Sequence, residues 1–433
     1  ILPPMKAGGP YTLSISAESG KLDYTNILIG EVWLCSGQSN MAFQVSSAVD
    51  SQRKAFLEFA ARKPQIRLFD MKPRWLTNAV EWDISTLDSL NRLQYYRDTE
   101  WKECNEETTN RFSAVAFAFG QMLSDSLQVP VGLILNAIGG SPAEAWIDRK
   151  TLEFEFPDIL YDWKQNNFIQ DWARERAALN IRKSTNKQQR HPYEPCYLYE
   201  SGIQPLEKFP IRGIIWYQGE SNISNYQFYA PMMTAMVQLW RNVWEAPDMP
   251  FYYVQIAPYK YENSSNTGAA LLREAQMEAL KTIPNSGMVP TTDIGDEFCI
   301  HPPQKDVVGL RLATLALTKT YGIRRLPSNG PTMTKVDYAD KKAIVTFDNA
   351  PAGLFPTFSE LEGFEIAGAD KKFYPAKAKI VGRTNTVEVW SEEVAQPIAV
   401  RYAFRNYVGN ITLRNTFGLS AFPFRTDTWD DVK

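Results

Sequence analysis

Two residue types in this chain are placed for nucleophilic chemistry. Ser39 stands in the turn Ser36-Gly37-Gln38-Ser39-Asn40, directly after the apolar run Val32–Cys35. A short apolar run that ends at once in a turn predicts a strand buried on both faces. Helical spacing begins soon after, from Ser51 to Lys63. A serine between a buried strand and a helix start has outward backbone N–H groups beside it, and these favour negative charge. Taken alone, the same residues read better as a turn and an N-cap, where Ser and Asn are preferred. The second type is histidine, of which the chain has only two. His191 lies in the polar stretch QQRHPYEP and reads as a solvated surface residue. His301, between Ile300 and Pro302, is the candidate base, its alternative being a cap on the last helix.

Stepping outward from these residues, Gln65–Met71 alternates and predicts a second strand, with Pro130–Ala137, Ile211–Tyr217, Phe251–Ile256 and Gly287–Thr292 completing the series. Ser113 is placed to cap a helix ending near Gln128, and further helices are expected over Asp171–Arg182, Tyr229–Trp244, Ala269–Thr282 and Gln304–Tyr321. Met232, Met236, Leu239 and Trp240 share one face of their helix and read as core. Alternating strands and helices imply a mostly parallel sheet covered on both faces, with ligands beyond the carboxyl ends of its strands. Ser39, Gly139–Ser141, Gln218–Asn222 and His301 each follow an expected strand, the last across the loop Asp293–Ile300. They are therefore expected to meet at one rim. The polar, irregular stretch Lys72–Arg111 reads as an insertion that shapes a pocket.

Beyond Arg325 the pattern changes to short strand-like runs separated by Gly, Asn, Asp or Pro, which predicts an all-β sandwich or jelly-roll of about a hundred residues. At the other end, Ala7–Ser16 and Gly20–Gly30 read as two strands joined across Glu18–Lys21. A lone hairpin is not stable, so the sequence is read as beginning inside a β domain or after processing. The expected division is 1–29, 30–325 and 326–433.

The 433 residues exceed one ordinary core, and 44% hydrophobic with 22% charged residues is a globular composition. A net charge of −3 gives no basic footprint for nucleic acid. No stretch approaches the ~18 apolar residues of a membrane span. Cys35, Cys104, Cys196 and Cys299 lack metal-type spacing, and no GxGxxG or P-loop argues for a nucleotide, so neither metal nor cofactor is expected. Cys35 reads as a buried thiol, while a disulfide among the other three would suit a periplasmic or secreted protein.

Four separated segments, GQSNM at Gly37–Met41, GGSPAEAW at Gly139–Trp146, WYQGESN at Trp216–Asn222 and IHP at Ile300–Pro302, resemble in their order the SGNH hydrolase superfamily. More narrowly they resemble the sialate O-acetylesterase family, over nearly the whole chain. The resemblance implies a flavodoxin-like α/β sheet and acyl transfer on a small-molecule or oligosaccharide acetyl ester. His301 would take the Ser39 proton, Ser39 would attack the acetyl carbonyl, and His301 would protonate the departing sugar oxygen. The tetrahedral oxyanion needs fixed donors, each worth roughly 3–4 kcal/mol. The candidates are the N–H groups of Ser39 and Gly140 and a side-chain amide, with Gln218 preferred and Asn222 the alternative. Glu220 and Glu144 read as positioning groups. A retaining-glycosidase carboxylate pair would leave Ser39 and His301 without a role.

The chain departs from the family in the catalytic acid. The superfamily has Asp three residues before its histidine, where this chain has Phe298, and close members often have it two before, where this chain has Cys299. Asp293, Asp296 and Glu297 are nearby. Asp296 is expected to orient His301, because Gly295 could turn the chain at positive φ; the alternative is a Ser–His dyad with a backbone carbonyl holding the ring. The expected substrate is 9-O-acetylated sialic acid, with acetylated xylan or other hemicellulose second. Arg74 and Arg97 are available for a sugar carboxylate. The reading from another class is a carbohydrate-binding relative without activity.

Overall fold

A computed structural model describes residues 5–261, 266–409 and 411–429. The chain enters through a hairpin, β1 (Gly8–Ala17) and β2 (Gly20–Ile29), with Ala17 paired to Gly20 at the turn. Among the described residues Ile15, Leu22 and Tyr24 stand exposed on this ribbon. Then come β3 (Glu31–Gly37), β4 (Ile66–Asp70), β5 (Lys102–Glu103), β6 (Val131–Ala137), β7 (Gly213–Tyr217), β8 (Phe251–Val254) and β9 (Ser286–Val289). They form one sheet in the order β5-β4-β6-β3-β7-β8-β9, parallel except for β5 against β4. With β4 and β5 set aside at one edge, the remaining five run 2-1-3-4-5, the order of a flavodoxin-like doubly wound sheet.

The middle strand shows why an unbroken apolar run was needed. Side chains alternate across a strand. Trp33 and Cys35 pack into the cluster that holds Phe117 and Leu312, from helices Ala114–Leu127 and Lys305–Lys319. Leu34 packs the other way, into the cluster of Tyr229 and Leu272 from helices Tyr226–Val243 and Gly268–Thr282. With helices on both faces neither set can be polar. Truncating Leu34 to alanine in such a site costs about 2–5 kcal/mol.

Local signals end the elements near the expected places. Ser113 Oγ accepts the Ala116 N–H at 3.0 Å and starts the helix, and Gln128 closes it in the left-handed conformation at φ 54°. The same hydroxyl donates to the Met41 carbonyl at 2.6 Å, which ties this helix start to the Ser39 turn. The insertion is more regular than expected. It carries helix Ile84–Asn91, capped by Asp83 accepting from Thr86 N–H at 2.8 Å, and helix Glu106–Asn110 with an Asn105/Thr108 capping box.

After the last helix come two four-stranded antiparallel sheets. Val345, Phe347, Val387 and Val389 of one and Phe364, Ile366, Val400 and Tyr402 of the other form a single cluster, so the sheets face each other as a β-sandwich. Arg425 pairs with Glu274 at 2.7–2.8 Å, and Ser420 Oγ donates to Asp293 at 2.9 Å, which fastens the sandwich beside the loop leading to His301. All four cysteines are free thiols, Cys299 alone being exposed. Among the described residues no helix is long and apolar enough to cross a membrane.

Candidate active site

The carboxyl ends of β3, β6 and β7 are laced together. Ile138 N–H donates to Gly37 O at 3.0 Å, Gln38 N–H to Tyr217 O at 3.0 Å, and Gly219 N–H to Gln38 Oε1 at 3.2 Å. Gly37 is required there: at φ 136° a Cβ would stand 2.2 Å from the Tyr217 carbonyl. Between β3 and β7 the winding of the sheet reverses, which is where such folds open a crevice. Ser39 begins the short helix Ser39–Ala42 in that crevice. From the loop after β9, His301 places Nε2 2.7 Å from Ser39 Oγ. Ser36, by contrast, is buried in the strand and donates to Asn136 O at 2.7 Å. Ser39, Gly139, Gly140 and His301 line one cavity of about 520 Å³.

Burial, and secondarily the charge of Lys305, holds the His301 pKa below the ordinary imidazole value. The ring is therefore neutral near pH 7, and Nε2 can accept the serine proton when Nδ1 carries its own. Lys305 is itself 1% exposed, and burial pushes its pKa down to about 7. Its ammonium sits 5.0 Å from the Phe43 ring centroid and 5.7 Å from that of Tyr217, and donates to Asn40 Oδ1 at 2.5 Å. Asn40 Nδ2 in turn donates to Glu220 Oε1 at 2.7 Å and to Ile300 O at 3.1 Å. One asparagine thus joins the serine turn, the β7 turn and the histidine loop. Burial raises the Glu220 pKa.

Gly140 lies at φ 73°, and a Cβ there would come 2.3 Å from Tyr193 Oη, so only glycine brings this turn against the cavity. Among the described residues neither the Ser39 nor the Gly140 N–H has an intramolecular acceptor. Two residues with uncommitted N–H groups therefore line the cavity that holds Ser39 Oγ. The expected side-chain amides are directed elsewhere. Gln218 Nε2 donates to Ser141 O at 3.1 Å and to Asn222 Oδ1 at 2.7 Å, and Asn222 Nδ2 donates to Glu144 Oε2 at 2.8 Å. Both amides are buried and neither lines the cavity. Glu144 is fully buried with them, its pKa raised by that burial to about 7.

Asp296 does not reach the imidazole. Its Oδ1 accepts the N–H groups of Phe298 and Cys299, both at 2.8 Å, because a short carboxylate satisfies its own turn more readily than a distant ring. Gly295 is not at positive φ, and Asp296 N–H is tied to Pro258 O at 3.1 Å, so the expected turn toward His301 is not made. Glu297 pairs with Lys260 and Asp293 with Arg311. Among the described residues His301 Nδ1 has no hydrogen-bond partner.

His191 is not a surface residue. It is 0% exposed, stacked on Trp82 at 5.2 Å, accepts the Tyr193 N–H at Nδ1 (2.9 Å) and contacts Asn180 Oδ1 through Nε2 at 3.1 Å. The flanking polar residues hid an aromatic cage supplied from elsewhere in the chain. Arg74 is spent on Tyr96 O at 2.9 Å, and Arg97 lines a different cavity. The arginine in the Ser39 cavity is Arg176, from helix Asp171–Asn180, beside Trp172, Thr77 and Asn78. Its only sequence signal was its place four residues after a tryptophan. The hydroxyls of Tyr95 and Tyr261, which also line the cavity, have no partner among the described residues.

Comparison with known proteins gives a consistent set of similarities. A family profile described as carbohydrate esterase, sialic acid-specific acetylesterase, matches residues 29–318. The sialate O-acetylesterase of Mus musculus is 26% identical, over 94% of this chain and 79% of its own length. That of Rattus norvegicus is 29% identical with the same coverage, 94% and 79%. Among solved structures, a carbohydrate acetylesterase from Xanthomonas citri superposes with a TM-score of 0.80 at 32% identity, covering 99% of this chain and 88% of that protein.

Proposed function

The chain belongs to the family of sialic acid-specific carbohydrate acetylesterases, and from that premise we propose that it removes acetyl groups from a sugar by a serine–histidine acyl-enzyme mechanism on an SGNH-type sheet. The observation that carries this reading is the 2.7 Å contact of Ser39 Oγ with His301 Nε2 inside an open cavity. In the first half, Nε2 accepts the hydroxyl proton as Ser39 Oγ attacks the acetyl carbonyl. The oxyanion forms against the N–H groups of Ser39 and Gly140, which are fixed before the reaction and need no reorganisation. The tetrahedral intermediate collapses as His301 returns the proton to the departing sugar oxygen. In the second half, water attacks the acetyl-serine with His301 again as base, releasing acetate.

In this reading the pair works as a dyad, and Asp296 braces the loop that presents His301. Gln218, Asn222 and Glu144 hold the β7 and β6 turns together, while Glu220 and Lys305 hold Asn40 between them. The chain divides into a terminal β piece over 1–29, the esterase unit over 30–325 and the sandwich over 326–433. The favoured substrate is 9-O-acetylated sialic acid, because the family description and the names of the relatives point there; acetylated hemicellulose is second. A periplasmic or secreted location belongs to the reading as well, without support from the four free thiols.

Turnover of p-nitrophenyl acetate tests the mechanism. Ser39→Ala and His301→Ala are expected to lower kcat/KM by about 10⁴-fold or more, and Ser36→Ala to retain most of it. If Ser36→Ala were the inactive variant and Ser39→Ala the active one, the assigned nucleophile would be wrong.

A further inference from the structure

The cavity holds a second polar feature, on the wall formed by helix Asp171–Asn180. Trp172 and Arg176 are four residues apart and so share one face of that helix. The guanidinium lies 5.7 Å from the centroid of the Trp172 ring. Arg176 Nη1 donates to the Thr77 carbonyl at 3.0 Å. The Thr77 hydroxyl donates to Gly139 O at 3.1 Å and also accepts from Tyr193 Oη at 2.9 Å. The arginine is therefore held at one corner by a segment that is tied to the oxyanion turn.

Among the described residues its charge has no counterpart: no carboxylate lies within ion-pair distance of Arg176, whereas its helix neighbour Arg174 is paired with Asp171. The other charged groups of the cavity are accounted for: Glu220 is linked through Asn40 to the Lys305 ammonium, and His301 is neutral at its lowered pKa. An arginine has five N–H donors in a planar fork suited to a carboxylate. At Arg176 one of them is engaged within the chain. Trp172 is 36% exposed and lines the same cavity, where its ring offers an apolar face to a pyranose.

We propose that Arg176 is the specificity-determining residue of the cavity: its free guanidinium edge binds the carboxylate of an acidic sugar while that sugar's acetyl ester lies at Ser39. This rests on the esterase reading above and names the chemical class of its substrate. It also replaces Arg74 and Arg97, which face other surroundings.

The test compares 9-O-acetylated N-acetylneuraminic acid with its carboxyl methyl ester and with p-nitrophenyl acetate, using the wild type, Arg176→Gln and Arg176→Lys. The wild type is expected to favour the free acid over the methyl ester by about 10- to 100-fold in kcat/KM, the size of one charge-assisted contact. Arg176→Gln should lose that preference through a raised KM with kcat little changed, and Arg176→Lys should recover part of it. p-Nitrophenyl acetate, which has no carboxylate, measures in each protein any loss through the Thr77 tie, and the free-acid preference is read as the ratio of the two sugar esters within that same protein. If Arg176→Gln keeps the preference for the free acid, or loses all three substrates equally, the proposal is wrong and the esterase reading stands. If the wild type shows no preference, the proposal is equally overturned. If the wild type hydrolyses none of the three, the esterase reading itself fails.

Discussion

Asp296→Asn separates a triad from a dyad, and the structure sets the size of each outcome. A carboxylate that orients a catalytic imidazole is worth about 10⁴ in kcat, or roughly 5.4 kcal/mol at 1.36 kcal/mol per decade. Here Asp296 Oδ1 instead accepts two backbone N–H groups, from Phe298 and Cys299 at 2.8 Å, two and three residues along the loop that ends in His301. An asparagine side chain has the same oxygen in the same place. It keeps both bonds and loses only their charge assistance, a difference of about 1 kcal/mol each in a partly exposed turn. That loss falls on loop stability and reaches kcat only as a shift of a few-fold. Asp296→Ala is the sharper perturbation, because it removes the acceptor and leaves the loop before His301 unbraced; its kcat should fall about ten-fold further than that of the asparagine variant. The assay is kcat on p-nitrophenyl acetate, with active serines counted by a burst. A triad predicts that Asn and Ala are equally crippled, near 10⁴, while a brace predicts that Asn is mild and Ala worse. A well-folded Asp296→Asn protein slowed a thousand-fold or more would mean that the carboxylate swings to His301 Nδ1 in the working enzyme, and the dyad would be abandoned.

Three further outcomes follow from the same geometry. His301 is held below the ordinary imidazole value by burial and by the Lys305 charge, so the acid limb of kcat/KM should lie below about pH 6.5; Lys305→Met should move that limb to higher pH, and an unmoved limb would deny the coupling. Gly140→Ala places a Cβ 2.3 Å from Tyr193 Oη at φ 73°, and should lower kcat by about 10²-fold with a smaller change in KM, the pattern of a displaced oxyanion donor. His191 is buried and its pKa is depressed to about 3, so the unfolded chain binds the extra proton in the window from about 6.5 down to 3 and stability must fall as pH drops through it. Urea unfolding at pH 4.5 should show about 2–3 kcal/mol of that loss relative to pH 7, and His191→Asn should show a shallower acid slope.

The sheet was legible because its signal is one-dimensional. Runs such as Val32–Cys35, Pro130–Ala137 and Ile211–Tyr217 need no partner to be recognised as strands with both faces covered, and helix caps such as Ser113 act within three residues. The meeting of Ser39 with Gly140 and His301 was legible for the same reason: each follows a strand, and the carboxyl ends of parallel strands share a rim. Where a side chain points within that rim was not. Gln218 and Asn222 were placed in the right turn, yet their amides face into the protein. His191 carries polar neighbours in sequence and aromatic neighbours in space. Arg176 sits in a charged helix that resembles any solvated one until Thr77 and Trp172, about a hundred residues away and one turn before it, are folded against it. The insertion Lys72–Arg111 looked irregular because its caps, Asp83 and Asn105, open helices too short to show a period.

The inward amides also explain why the serine turn is so exposed chemically. Gln218 and Asn222 are bonded to each other, to Ser141 O and to Glu144 Oε2, and Asn40 bridges Glu220 Oε1, Lys305 and Ile300 O, while Glu144 Oε1 and Glu220 Oε2 have no partner among the described residues. Each of these groups is buried in a region where an unmatched donor or acceptor costs about 1–3 kcal/mol, so exchanging one strands its neighbours. The three turns are consequently locked as a unit, with Gly37 and Gly140 permitting approaches that any Cβ would block. Within that unit nearly every donor is committed to the protein. The N–H groups of Ser39 and Gly140 are not, and both residues line the cavity in which Ser39 Oγ meets His301. In the proposed mechanism this network is the clamp, and the chemistry falls to the few groups the clamp does not use.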